Sequence, residues 1–350
     1  MQPIVARLKP CLIRLEAGRV YYWCRCGRSR RQPFCDGSHE GTGFEPLQHL
    51  AVVDGEEVLF CGCKHTRTPP FCDGSHTNLP GGAPLDDPHS AENLAIPTIE
   101  AAPDGRTLLN GGCYVFSPSA AKMQTRGALR YCAVISSGLG ALYHTQFYLQ
   151  LTAARSPVMS CGERDAVLFI KAGHGSVTIS GRRFDVAPTD GVHVRPFESF
   201  QLDAAAGTTL EAFVSACPLG ELGWPEAMPH NFAAAFPDRI ASVDAKQRHA
   251  MGPRFFQCLV DKRIGCDQIT QFIGHIPQSK AAPHRHLYEE ALLILTGAGC
   301  MWTEDRKARV SAGDVIFLPR KQLHSLQATA PGGMDVVGVI FPGDNPSINY

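Results

Sequence analysis

Two copies of one cysteine pattern constrain the first eighty residues more than any other feature. Cys24-Arg25-Cys26 is followed after eight residues by Cys35-Asp36-Gly37-Ser38-His39. The pattern recurs 37 residues later as Cys61-Gly62-Cys63, eight residues, then Cys72-Asp73-Gly74-Ser75-His76. Each copy gathers three thiols and one imidazole at fixed spacing, which is a ligand shell for a metal cofactor. The repetition implies two cofactors in one small module. A short strand-like run leads into each copy, Arg19–Trp23 and Glu56–Phe60.

The whole chain is 350 residues with 44% hydrophobic residues, enough for two or three domains with ordinary cores. Its 33 basic and 33 acidic residues cancel, so overall charge argues for no nucleic acid and no anionic membrane; only Arg28, Arg30 and Arg31 form a basic run. No apolar stretch approaches the roughly eighteen residues that span a bilayer, and no long apolar segment opens the sequence, so the expected compartment is the cytoplasm. Fourteen cysteines that cluster in this way suit metal binding in a reducing compartment better than a disulfide framework. The eight outside the repeats, from Cys11 to Cys300, suit buried apolar positions.

Composition divides the rest. Residues 1–78 form the metal module, and residues 79–108, rich in Pro, Gly, Asp and Ala, read as a surface linker. Beyond it, short apolar runs such as Ala166–Ile170, Ala291–Leu295 and Asp314–Leu318 alternate with Gly, Pro and Asp turns, the signature of an all-β barrel or sandwich. Within that half lie His284-Arg285-His286, Glu290, Gly297, then Gly313, Pro319 and His324. On a strand His284, His286 and Glu290 share parity and point to one face, and a neighbouring strand need only add His324. Three imidazoles and a carboxylate suit a divalent transition metal with positions left open.

This half resembles the cupin superfamily, in its HxH, three residues, Glu, six residues, Gly motif and its Gly, five residues, Pro, then His motif. Gln278, Lys321 and Ala328 stand where the family pattern carries Gly, Gly and Asn. Aligning Ala166–Gly175 with Ala291–Gly299 gives a tandem arrangement: a degenerate barrel over 109–222 and a metal-binding barrel over 223–350 that includes the segment between them. The first barrel offers Met159, Cys161, Asp165 and Gln201 at the ligand positions, and His174 and His193 lie off them. Gln271, Phe272, Tyr288, Trp302 and Phe317 are the pocket candidates, with Tyr288 and Trp302 in the parity class of the ligands.

Residues 1–78 resemble the CDGSH, or NEET, iron-sulfur family, closest to members with two motifs in one chain; Ser29 and Thr66, Pro33 and Pro70 match in both copies. The resemblance implies one 2Fe-2S cluster per motif, held by Cys24 and Cys26 against Cys35 and His39, and by Cys61 and Cys63 against Cys72 and His76. The fold class expected is mainly β, a two-cluster module followed by tandem cupin barrels. Because inserting one oxygen atom of O2 consumes two external electrons, two one-electron clusters beside an Fe(II) cupin imply an oxygenase acting on a small polar metabolite, in analogy to Rieske oxygenases. A ferredoxin or reductase is the expected donor, since no Gly-rich nucleotide fingerprint follows a strand. A homodimer is compatible with exposed strand edges. The rival readings are a cupin dioxygenase, decarboxylase or isomerase with a regulatory module, and a non-catalytic redox sensor or cluster-transfer protein.

Overall fold

The two cysteine loops of the module hang from two short ladders that cross the repeat. The structure, a computed structural model, describes residues 2–350. Val20–Trp23, which enters the first loop, pairs antiparallel with Leu47–Leu50, and Glu57–Phe60, which enters the second, pairs with Cys11–Arg14. Each loop then closes on its own entry strand, Trp23 against Phe34 and Phe60 against Phe71. The rings of Tyr21, Phe34, Phe60, Phe71 and His49 fill the space between the ladders at centroid separations of 5.0 to 6.3 Å. An aromatic cluster of this kind gives a small module a core that its few strands alone would not supply.

Two jelly-roll barrels follow. In the first, a seven-stranded sheet centred on Asp165–Ala172 and Thr209–Cys217 covers a four-stranded sheet. In the second, an eight-stranded sheet centred on Glu289–Thr296 and Met334–Phe341 covers a five-stranded sheet. The apolar runs are continuous rather than alternating because both faces are covered. Leu168 and Ile170 point into the first barrel, Leu292 and Ile294 into the second, and Val167, Phe169, Ala291 and Leu293 meet in a core between the barrels. Among the described residues no helix is long and apolar enough to cross a membrane.

Strand pairing redraws the expected boundaries. Within 79–108, Leu85–Asp86 pairs with Lys280 and Ala281, and Arg106–Leu108 pairs with Tyr114–Phe116, which in turn pairs with Val315–Phe317. The stretch expected to be a linker is therefore an edge of the second barrel, and Tyr114–Phe116, expected in the first barrel, lies in the sheet of the second. Conversely Ile240–Ala241, expected with the second barrel, pairs with Gly191 and Val192 of the first. Pro and Gly mark local turns in these segments but carry no information about which distant strand they border.

A buried ion pair secures that returning segment. Arg239, fully buried, donates to both carboxylate oxygens of Glu198 at 2.6 and 2.9 Å, and Glu198 also accepts from the amides of Ala233 and Arg195. Glu198→Gln leaves the guanidinium without a counter-charge and should lower stability by about 3 kcal/mol, the lower end for breaking a buried pair. Urea denaturation monitored on the first barrel checks this, with the double replacement by Met recovering most of the loss.

Candidate metal centres

The site in the second barrel is assembled from two turns rather than from one strand. His284 and His324 form an isolated antiparallel bridge, each amide donating to the other's carbonyl at 3.0 Å. Residues 285–288 are irregular, and Glu290 sits at the start of Glu289–Thr296. The shared face of His284, His286 and Glu290 thus comes from the turn and not from the strand parity expected of them. The three imidazoles have centroids 4.4 to 5.5 Å apart, and nitrogens of all three lie within 4.8 Å of one another. The His286 Nε2 is 3.5 Å from Glu290 Oε2, which brings all four residues together.

Surrounding groups orient these donors. His284 Nδ1 lies 2.9 Å from the Ala282 carbonyl and His324 Nδ1 2.8 Å from that of Gln322, so each Nδ1–H donates to main chain and leaves an Nε2 lone pair for a metal. Tyr288 stacks on His286 at 4.3 Å and donates its hydroxyl to the Pro346 carbonyl, placing it at the site as a support for a ligand. Burial pushes the Glu290 carboxyl up to about 8 and the His284 imidazole down to about 4, while burial and the neighbouring imidazoles hold His286 and His324 well below the ordinary range. Neutral imidazoles and a buried carboxyl with no cation beside it are the chemistry a divalent ion would complete.

A cavity of about 90 Å³ over these residues is walled by Phe256, Phe272, Leu292, Leu326 and Val336. Of the other pocket candidates, only Phe272 lines it. Trp302 does not: its ring lies between the ammonium groups of Lys280 and Lys307 at 4.8 and 4.3 Å, and its indole N–H donates to Gln327. Lys280 is buried and paired with Asp86, so Trp302 belongs to the anchorage of residues 85–95. Gln271 donates to the Leu168 carbonyl and Phe317 packs on Tyr114, both between the barrels.

The first barrel holds no comparable interior set among the described residues. Ala166 faces the barrel interior whereas Ala291 faces the other barrel, so the alignment that matched them is one residue out of phase. Asp165 therefore points outward, like Glu289, and Met159 and Cys161 pack in the apolar interior. At the barrel interface Asp165 lies 2.8 Å from His193 Nε2, with Cys266 beside them, a buried grouping that spacing did not reveal.

In the module, every expected ligand pair is in contact. Cys24 and Cys26 sulfurs are 3.6 Å apart and those of Cys61 and Cys63 3.5 Å, near the roughly 3.8 Å of two thiolates on one tetrahedral metal. Cys35 Sγ lies 3.2 Å from His39 Nδ1 and Cys72 Sγ 3.4 Å from His76 Nδ1. Amides of Arg28, Gly37, Lys64 and His65 donate to the sulfurs. Ser29 and Thr66 hydroxyls donate to the Phe34 and Phe71 carbonyls, and Asp36 and Asp73 accept two amides each, so both loops are built alike.

Their surroundings differ. His39 is partly exposed, with Nε2 3.4 Å from Glu45, and a Cβ on Gly37 would meet nothing within 4 Å. His76 is 1% exposed, its Nε2 lies 3.4 Å from Asn349 Oδ1, and a Cβ on Gly74 would meet Ser347 Oγ. Asn345 donates to the Asp73 carbonyl, and Tyr350 exchanges main-chain hydrogen bonds of 3.0 Å with Arg285. Residues 343–350 thus join the second cysteine loop to the turn between His284 and His286. Lys321, whose φ of 64° takes up the left-handed turn where the family pattern has Gly, reaches across to pair with Glu57. The two loops are joined in turn by the Trp23 indole, which donates to the Cys61 carbonyl, and by the buried Lys64, which lies over Trp23 and donates to the same carbonyl.

Comparison with known proteins agrees with this division. Residues 8–40 match the model of the iron-binding zinc finger CDGSH type, and residues 274–340 match the cupin domain. The chain is 52% identical over 52 residues to mouse CDGSH iron-sulfur domain-containing protein 3, mitochondrial, and 52% over 50 residues to the human protein. These matches cover 14% of this chain and 38% and 39% of those proteins, so the chain spans about two fifths of the relatives it matches. Among solved structures it is similar to oxalate decarboxylase of Lactobacillus farciminis (TM-score 0.52, 14% identity, 66% of this chain and 86% of that one). It is also similar to protein Ylba of E. coli (TM-score 0.51, 14% identity, 73% and 98%), a likeness of fold. The chain is mainly β and carries a CDGSH iron-binding segment at its amino-terminal end and a cupin domain at its carboxy-terminal end.

Proposed function

We propose that this protein is an oxygenase in which a mononuclear iron, held by His284, His286, Glu290 and His324, acts on a small polar metabolite with electrons from two 2Fe-2S clusters. When bound, the clusters supply single electrons and the iron supplies O2 chemistry. The observation that carries this reading is the continuity of contacts from one metal centre to the next. Trp23 and Lys64 bridge the two cysteine loops, and Asn349 and Tyr350 bridge His76 to Arg285, between two of the iron ligands. The exposed first loop faces solvent, where a ferredoxin or reductase has access, and the second is covered by the barrel that holds the iron.

The chain's own residues set the conditions. The apolar wall of Phe256, Phe272, Leu292, Leu326 and Val336 excludes water from the open side of the site. Tyr288, its phenol pushed well above its ordinary range by burial, keeps its proton and supports the His286 ring. Glu290 loses its proton when a divalent ion arrives. Since its carboxyl is raised to about 8 and His284 titrates near 4, affinity for a divalent ion such as Mn(II) should rise about tenfold per pH unit between pH 6 and 8 and level off above. Titration calorimetry across that range checks the slope; a flat profile would mean that no proton leaves Glu290 when the ion binds.

The electron role has its own test. Protein with reduced, and so bleached, clusters, exposed to O2 and substrate without further reductant, should form product once as the visible absorbance of both oxidised clusters returns. Cys72→Ser should abolish that turnover while leaving metal bound at His284, His286, Glu290 and His324. Product formed with the clusters still reduced would favour the dioxygenase, decarboxylase or isomerase reading with a regulatory module.

A further inference from the structure

The small cavity over the barrel site opens into a larger one. A cleft of about 760 Å³, a volume suited to a metabolite, runs between Arg7 and Lys9 of the cysteine module and Arg254, His284 and Arg285 of the barrel. His284 and Arg254 line both spaces, so the cleft leads to the metal ligands. Its charge is one-sided: four cationic side chains face it and no Asp or Glu side chain does. Among the described residues none of Arg7, Lys9, Arg254 and Arg285 pairs with a carboxylate.

The two barrel arginines are held in place with donors to spare. Arg254 gives one N–H to the Leu326 carbonyl at 3.1 Å, and Arg285 gives its Nε–H to the Lys321 carbonyl at 3.0 Å. Each keeps terminal N–H groups, and a guanidinium fork fixed by one hydrogen bond is preorganised for a carboxylate. Half-buried guanidinium groups without a counter-ion carry a desolvation cost that an anion offsets. A carboxylate at Tyr350 would offset one of the four charges, leaving the cleft positive.

From this we propose that the cleft binds a small organic acid, ionised at neutral pH, whose carboxylate is held by Arg254 and Arg285 while its other end faces the barrel metal. Arg7 and Lys9 supply part of the binding wall, so the iron-sulfur module helps to select the substrate as well as to pass electrons. Free amines are excluded by like charge. The inference rests on the barrel site being the reaction centre, and it narrows the substrate from a polar metabolite to an anionic one.

The test uses the full chain with clusters and barrel metal in place, without O2. Acetate, malonate and succinate are titrated by calorimetry beside acetamide, malonamide, succinamide and 1,4-diaminobutane, at low and high salt. At least one acid should bind about tenfold or more tightly than its amide, weaken with salt, and outbind the diamine. Arg254→Gln and Arg285→Gln should each weaken it about tenfold, and Arg7→Gln with Lys9→Gln a few-fold, with cluster spectra and metal content unchanged. If every acid binds no better than its amide, or binds equally to the Arg254→Gln/Arg285→Gln protein, the proposal is wrong. Acid binding with no product once the clusters are reduced and O2 is admitted would sink the oxygenase reading and spare the cleft; turnover of a neutral compound with no acid binding would do the reverse.

Discussion

Strand exchange between distant segments holds the molecule together. Tyr114–Phe116 closes the sheet of the second barrel and Ile240–Ala241 closes that of the first, each coming from the flank of the other barrel. A β-sheet edge left open is a liability, and here one side of each large sheet is extended by chain that belongs elsewhere in sequence. The same device places Leu85–Asp86 against Lys280 and Ala281, just before His284. As a result the chain leaving the cysteine module is fastened beside the metal ligands, and the distance between the two kinds of centre is set by main-chain hydrogen bonds instead of by a flexible tether.

Within that frame the two barrels diverge by what fills them. The first is occupied by Met159, Cys161, Leu168, Ile170, Phe200 and their neighbours, and works as a packed support. The second gives up part of its core to His286, Glu290 and His324, all nearly inaccessible. Polar groups buried without partners cost free energy, so the second barrel draws on the surrounding packing, including the core it shares with the first. An inert barrel beside an open one is thus a physical counterweight to the cost of the site.

The candidate ligands were legible in the sequence because coordination demands particular residue types at short spacing, and the structure brings each expected pair of the module, and the four barrel residues, into proximity. What failed was reasoning that assumed regular geometry. Parity put Trp302 with the ligands, but the register shift between Ile294 and Thr296 breaks the count, so Met301 faces the interior and Trp302 faces Lys280 and Lys307 instead. Similarity of apolar runs matched Ala166 to Ala291, yet in strands covered on both faces the alternation that would reveal a one-residue slip is missing. Arg254 and Arg285 were invisible as a pair, since they are 31 positions apart in an ordinary strand and an ordinary turn. Only tertiary structure brings both to one cleft.

The contacts that cover the second cysteine loop span the length of the chain: Asp73 meets Asn345 across 272 positions, and His76 meets Asn349 across 273. During synthesis both cysteine loops therefore emerge, and stand open to solvent, well before the surface that covers one of them has been made. A cofactor entering these loops would meet an early window in which both are uncovered, and a later state in which residues 343–350 lie over the second. Two loops built alike therefore differ in when, along the chain's synthesis, their surroundings are complete.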